Sequence, residues 1–200
     1  MLITFEGIEG SGKSTQIMLL EKFLKKHGYN FIILREPGGT IVSEKIREIL
    51  LDSTLDIEKE TELFLFLASR SELVNKVIRS ALREKKIVIC DRFIDSTIAY
   101  QSYGRGIPER LIKLLNNFII KDIKIKRTYL LDYDPEIHGI RVKNKIKDRI
   151  ENNDLDFHKR VREGFLKIAA KNKKRFLILN ALEPIESIHK KIIDDLSKIL

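Results

Sequence analysis

"LITFEGIEGSGKST", Leu2 to Thr15, opens the chain and decides how the rest is read. Leu2-Ile3-Thr4-Phe5 is an apolar run that reads as a buried strand. The next stretch fits G-x-x-x-x-G-K-[ST] at Gly7, Gly12, Lys13 and Ser14. Behind it, Gln16 to Leu24 is apolar at helical spacing, and the helix is expected to end near Gly28. Strand, glycine-rich loop and helix in that order is the context in which this motif holds a phosphate. The glycines let backbone N–H groups turn inward at a helix N-terminus, where the helix dipole also favours negative charge. Gly7, Ile8, Glu9, Gly10, Ser11, Gly12, Lys13, Ser14 and Thr15 are therefore the expected contacts to a nucleoside triphosphate. Lys13 can reach the β- and γ-phosphates, and the Ser14 hydroxyl can ligate magnesium. An incidental glycine-rich turn is the weaker reading, given the full motif in its context.

The 200 residues suffice for one α/β domain with a substantial core. Neither a signal peptide nor an apolar run long enough to span a bilayer is evident, so a soluble, cytoplasmic protein is expected. The one cysteine, Cys90, excludes an internal disulfide and lies in "KIVIC", where a packed core residue is favoured over a nucleophile. A formal net charge of +9 is compatible with nucleic acid, an acidic membrane surface or phosphorylated small molecules. For most of these lysines a solvated surface is the better account, and neither a nucleic acid nor a membrane partner is expected.

Repeats, low-complexity tracts and linkers are all missing from the pattern. Five short apolar runs recur, at Leu2–Phe5, Phe31–Leu34, Ile87–Cys90, Thr128–Leu131 and Phe176–Leu179. Amphipathic stretches of helical period lie between them, such as Glu62–Leu82 and Glu109–Phe118. A last one starts at Pro184, with Ile185, Ile188, Ile192, Ile193 and Leu196 on its apolar face. Strands alternating with helices imply a parallel sheet covered on both faces, with ligands beyond the carboxyl ends of the strands.

The residues just after each run therefore matter most. "REPGGT" follows the second run, "DRFIDSTIAYQ" the third, "DYDPE" the fourth and "NALEP" the fifth. Asp91 stands where loop proteins of this kind place a carboxylate for the magnesium shell, a reading favoured over a turn or capping role. Arg92 points at the same pocket, and an arginine suits bidentate phosphate binding better than a lysine. Arg35, Arg47, Arg70 and Arg92 sit where a second anionic ligand can be held, although Arg47 and Arg70 fall in helical pattern and are compatible with structural roles. A switch GTPase would carry D-x-x-G and N-K-x-D segments. The first is missing, and "NKIKD" at Asn144–Asp148 has its acid one residue out of register.

Taken together, "FEGIEGSGKST", "REPGGT", "LFLASR", "DRF…STIAYQ…GRG" and "DRIE" resemble the thymidylate kinase family, from Met1 to the end of the chain and at family spacing. The resemblance implies a three-layer P-loop fold with a five-stranded parallel sheet of order 2-3-1-4-5, flanked by helices. It implies one kinase domain over residues 1–200, carrying a basic lid segment at about 139–153. It also implies transfer of the γ-phosphoryl group of ATP to dTMP, giving dTDP and ADP for dTTP synthesis, with magnesium, in a homodimer. The alternatives are a nucleoside monophosphate kinase of other base preference and a P-loop regulatory protein that uses nucleotide as a switch.

Residue by residue, the resemblance places Glu9 near the acceptor's 3′-hydroxyl. Phe66 and Arg70, four apart on one helical face, are placed against the thymine ring. Arg92, helped by Arg35 or Arg47, is expected to hold the dTMP phosphate. Ser96, Thr97, Tyr100 and Gln101 match the base- and sugar-contacting segment, and Tyr100 is expected to disfavour a 2′-hydroxyl. Pro37 stands in a turn beside the acceptor phosphate, where a cis Glu36–Pro37 bond is expected. For Gly104-Arg105-Gly106 only backbone shape is implied. The P-loop carries Gly10 where some family members have an arginine, so the resemblance moves the extra cation to "GIRVKNKIKDRIE", Gly139 to Glu151. Arg141, Lys145 and Arg149 fall four apart, on one face of an expected helix. Lys145 stands about where lid enzymes have an arginine, and it lacks the bidentate fork. Lys13, Arg92, Arg141, Lys145 and Arg149 form the expected catalytic set, and Arg149→Ala is expected to lower kcat by ~10²-fold with little change in dTMP KM.

Overall fold

The structure is a computed structural model, and it describes residues 1–137 and 148–200. Strand β1 (Leu2–Glu6) is buried along its whole length because it lies in the middle of a five-stranded sheet. Its neighbours are β3 (Ile87–Asp91) and β4 (Ile125–Asp132), with β2 (Phe31–Arg35) and β5 (Phe176–Asn180) at the edges. The order is β2-β3-β1-β4-β5 and every pairing is parallel, as expected from the sequence.

Alternation along the strands sends residues to two separate cores. Ile3, Phe5 and Ile89 pack with Leu20, Leu24, Tyr129 and Phe165, whereas Leu2, Val88 and Cys90 pack with Leu73, Ile78 and Phe93. Cys90 is fully buried, as read from its apolar run, and burial pushes its thiol pKa well up. All five runs extend one residue further than their apolar pattern, to Glu6, Arg35, Asp91, Asp132 and Asn180. Strand β4 starts at Ile125 rather than Thr128, because pairing to β1 carries it through the polar Lys126 and Arg127. These extensions matter functionally: the register sets Phe5 beside Asp91 and Arg35 beside Asp91, so the polar strand ends form one row.

Helix α1 (Lys13–Lys26) follows the loop and stops just before Gly28, whose φ is +72°. Helix α2 (Ile41–Leu51) is capped by Thr40, whose hydroxyl accepts from the Ser43 amide at 3.0 Å. The stretch read as one helix from Glu62 to Leu82 is helical throughout: α3 (Lys59–Leu73) passes through a wide π-type turn at Val74–Ile78 into α4 (Arg79–Arg83). After β3, a short α5 (Ile94–Thr97) widens into a second π-type segment, Ile98–Gly104, before α6 (Glu109–Ile120). Helix α7 (Leu155–Lys171) is capped by Asp154, and α8 (Ile185–Leu196) follows Pro184, which caps rather than enters it. On α8, Ile188, Ile192 and Leu196 are buried while Ile185 is half exposed. No helix among the described residues is long and apolar enough to cross a membrane.

Candidate active site

The loop between β1 and α1 is built on conformations that side chains resist. Gly7 has φ +136°, and a Cβ there would come within 2.4 Å of the Leu131 carbonyl oxygen. Gly12, at φ +90°, starts α1 and leaves its first N–H groups facing the loop cavity. Lys13 reaches back over the loop, with Nζ donating to the Gly7 and Ile8 carbonyls at 3.0 Å each. Burial, and after it the positive charge of Arg92, lowers the Lys13 pKa to about 8. An anionic phosphate beside this lysine would reverse that penalty. The Ile8 side chain belongs to the core, so Ile8 contributes backbone alone. Glu9, Gly10, Gly12, Lys13, Ser14 and Thr15 line one cleft, closed on its far side by Arg35, Arg47, Asp91 and Arg92.

Ser14 and Asp91 meet in this cleft, the Ser14 hydroxyl donating to Asp91 Oδ2 at 3.3 Å. One hydroxyl and one carboxylate fit magnesium, which takes few protein ligands and completes its octahedron with phosphate oxygens and water. Among the described residues there is no cluster of three or more His, Cys, Asp or Glu side chains that would form a fuller cage.

Arg92 is the hinge of the site. It follows β3 directly and holds φ +68°, a left-handed conformation that a side chain adopts only when its surroundings compel it. Those surroundings are explicit. The Arg92 amide donates to the Phe5 carbonyl, the Phe93 amide donates to Glu6 Oε1 at 2.9 Å, and the Ser96 hydroxyl donates to Glu6 Oε2 at 2.5 Å. The guanidinium then donates to the Gly7 carbonyl at 2.9 Å, to Ser96 Oγ at 3.2 Å and to Glu9 Oε2 at 3.4 Å, and lies 5.1 Å from the Tyr100 ring centre. Burial opposes the Arg92 charge, but Tyr100, Glu9, Asp91 and Glu6 together hold its pKa above the ordinary arginine value. Glu6 is driven the other way: burial, then the nearby Asp95, raise its pKa to about 8.

A second cleft of about 670 Å³, counting its open mouth, lies on the other side of Arg92. Pro37, Phe66, Arg70, Ser96, Thr97, Tyr100 and Gln101 all line it, so the structure brings these sequence-derived residues together. The Glu36–Pro37 bond is cis, as expected. Arg70 is 2% exposed and is fixed from three directions. Its Nε and NH2 donate to Glu36 Oε2 at 2.8 and 2.5 Å, and its NH1 donates to Thr97 Oγ1 at 2.8 Å and Asn116 Oδ1 at 2.6 Å. Those bonds use four of its five N–H groups and leave one for a ligand.

Arg47 lines both clefts and donates to the Pro37 carbonyl at 2.9 Å, whereas Arg35 lines the loop cleft but not the second one and is held by Glu44 at 2.9 Å. Of the two candidate helpers of Arg92, Arg47 is thus the one that also lines the second cleft. Arg141 and Lys145 lie outside the described residues. Arg149 is described, and the expected helix does not extend to it: it sits in a turn, pairs with Glu62 at 2.7 Å and donates through Nε to the Leu50 carbonyl. Arg105, read as backbone shape alone, also spends its side chain on Glu62.

Sequence reasoning did not single out Glu36, Asp148, Ile150, Glu151 and His158, which also line the second cleft. Glu36 carried a signal, since it sits inside "REPGGT" beside the turn. The others come from a segment brought in only by tertiary folding.

Known proteins match this architecture along its whole length. Residues 5–192 fit the family model described as thymidylate kinase. The thymidylate kinase of Kosmotoga olearia is 42% identical over 98% of this chain and 94% of its own length. That of Pelodictyon phaeoclathratiforme is 47% identical over 96% of this chain and 94% of its own. A crystal structure of thymidylate kinase from Ehrlichia chaffeensis superposes with a TM-score of 0.81 at 40% identity, covering 98% of both chains. With its sheet order, its phosphate loop and its arginine-hinged pair of clefts, the chain belongs to the thymidylate kinase family.

Proposed function

We propose that this nucleoside monophosphate kinase takes ATP in the loop cleft and dTMP in the cleft lined by Phe66 and Arg70, and moves the γ-phosphoryl group between them at Arg92. The observation that carries this reading is that the two clefts share Glu9, Glu36, Arg47 and Arg92, so a donor and an acceptor can meet there without crossing solvent. Backbone N–H groups of the loop and the Lys13 ammonium receive the triphosphate. Ser14, with Asp91 behind it, would hold magnesium, which would supply charge neutralisation for the triphosphate. Arg92 and Arg47 hold the acceptor phosphate, and the fork of Arg92 stays in contact as charge spreads over the transferring group. Phe66 stacks on the base, and the remaining Arg70 N–H donates to a ring carbonyl. Pro37, Ser96, Thr97, Tyr100 and Gln101 close around base and sugar, and Glu9 accepts from the 3′-hydroxyl. No general base is required, because the acceptor phosphate is already largely ionised near neutral pH.

The working form proposed is a cytoplasmic homodimer. Support for the dimer comes from α3 and the helices that pack on it, α2 and α6, which together expose Ile41, Phe64, Leu114 and Phe118, each more than 60% accessible. Arg92→Lys tests the junction, since lysine keeps the charge and loses the bidentate fork. The expected result is a kcat loss of ~10²-fold with a higher dTMP KM and an ATP KM within about twofold. An unchanged kcat would remove Arg92 from the transfer.

A further inference from the structure

We propose that Glu62 is a positioning residue which, through Arg105 and Arg149, holds the 148–153 turn against the acceptor cleft; the proposal rests on the reading of that cleft as the dTMP site. Glu62 lies on α3, four residues before Phe66 and eight before Arg70, and its side chain is 1% exposed. Its Oε1 accepts from Gln101 Nε2 at 3.0 Å and from Arg105 Nε at 3.1 Å. Its Oε2 accepts from Arg105 NH2 at 3.1 Å and lies 2.7 Å from Arg149 NH2.

Both arginines are anchored beyond this carboxylate. Arg149 donates through Nε to the Leu50 carbonyl and through its amide to the Leu51 carbonyl, tying the turn to the end of α2. Arg105 NH1 donates to Asn153 Oδ1 at 2.7 Å, Asn153 Nδ2 donates to the Ile150 carbonyl at 2.8 Å, and the Arg105 guanidinium lies 4.6 Å from the Phe157 ring centre. One buried carboxylate therefore joins α3, the segment after Gly104 and the 148–153 turn.

That turn carries Asp148, Ile150 and Glu151, three walls of the acceptor cleft, and Gln101 is a fourth wall bonded to the same carboxylate. Without the Glu62 charge, the two guanidinium groups would lose the buried carboxylate they share and repel each other. The turn would then be pushed off the cleft. The loop cleft shares none of these groups. Although burial acts to raise it, the Glu62 pKa is held below the usual carboxylate range by Arg105, Gln101 and Arg149, so the clamp stays charged at neutral pH. Arg149 then acts through the acceptor wall rather than on the transferring phosphoryl group.

The test is steady-state kinetics on the full chain with Glu62→Gln, Arg149→Ala, Arg149→Lys and the Glu62→Gln/Arg149→Ala double variant. Both single losses are expected to raise dTMP KM by ~10-fold or more, with ATP KM within about twofold, and Arg149→Lys to recover part of the loss. The double variant is expected to be no worse than the weaker single, because both act through one contact. If Glu62→Gln does not fold, the two Arg149 variants decide alone, since that side chain lies on a turn. Lowered thermal stability with an unchanged dTMP KM would overturn the proposal, as would a ~10²-fold kcat loss at constant dTMP KM for Arg149→Ala. Wild-type protein that releases no ADP in response to dTMP would sink the substrate reading instead, and is seen before any variant is made.

Discussion

Glu6, Glu36 and Glu62 are acids in water-poor surroundings, and each steadies a different part of the site. Their identities are plain in the sequence; their partners are not, because Phe93 is 87 residues from Glu6, Arg70 is 34 from Glu36 and Arg105 is 43 from Glu62. This is why Lys13, Arg92 and Phe66 were legible from motifs while the carboxylates that aim their neighbours were not. Glu6 makes the cost of such a position measurable. Its pKa near 8 lies above the ordinary 4.5, so between these values the folded chain holds a proton that the unfolded chain has released. Stability should therefore fall as pH rises from about 4.5 to 8, by up to a few kcal/mol for this group, and level off above. Glu6→Gln removes the titration, so the denaturation midpoint of the wild type is expected to decline toward that of Glu6→Gln over this range. A gap that widens in the wild type's favour with rising pH would contradict the assignment.

At the scale of elements, apolar runs and helical spacing gave the strands and helices well, since burial on two sheet faces leaves that signature in the sequence. What they did not give were the polar strand ends, the early start of β4 and the two π-type segments. Pairing and packing set those, and neither has a period. The second π-type segment, Ile98–Gly104, presents Tyr100 and Gln101 to the acceptor cleft because it lies hard against α7. Glycines make that approach possible: a Cβ at Gly104 would sit 2.6 Å from the Phe157 ring, and one at Gly164 would sit 2.7 Å from the Tyr103 ring. In an open helix, Gly→Ala stabilises by up to about 1 kcal/mol. Here the overlap is with an aromatic ring that has to move, at a cost of about 1–3 kcal/mol. Gly164→Ala is accordingly expected to lower stability in urea titration and to raise dTMP KM. A stabilised variant with normal KM would show that the contact has slack.

The whole molecule is a sheet whose polar strand ends face two clefts, with Arg92 and Arg47 shared between them. The strand–loop–helix opening made the near side of the loop cleft legible in the first fifteen residues, and the five apolar runs made the sheet so. The acceptor cleft was legible only in part, because its far wall comes from residues 148–158, whose place against α3 no local pattern encodes. On the opposite concern, the exposed apolar side chains of α2, α3 and α6 are expected to be covered by a second copy. Sedimentation should find a dimer at micromolar concentration for the wild type and a monomer for Phe64→Glu/Phe118→Glu; a wild-type monomer would refute the pairing. The central claim, that the two clefts hold a nucleoside triphosphate and dTMP for direct transfer at Arg92, is tested most directly by coupled measurement of ADP release from ATP with dTMP, dUMP, dGMP, UMP or no acceptor. The account expects turnover that depends on the acceptor, with the highest kcat/KM for dTMP; ADP release that is indifferent to the acceptor, or faster with dGMP or UMP than with dTMP, would contradict it.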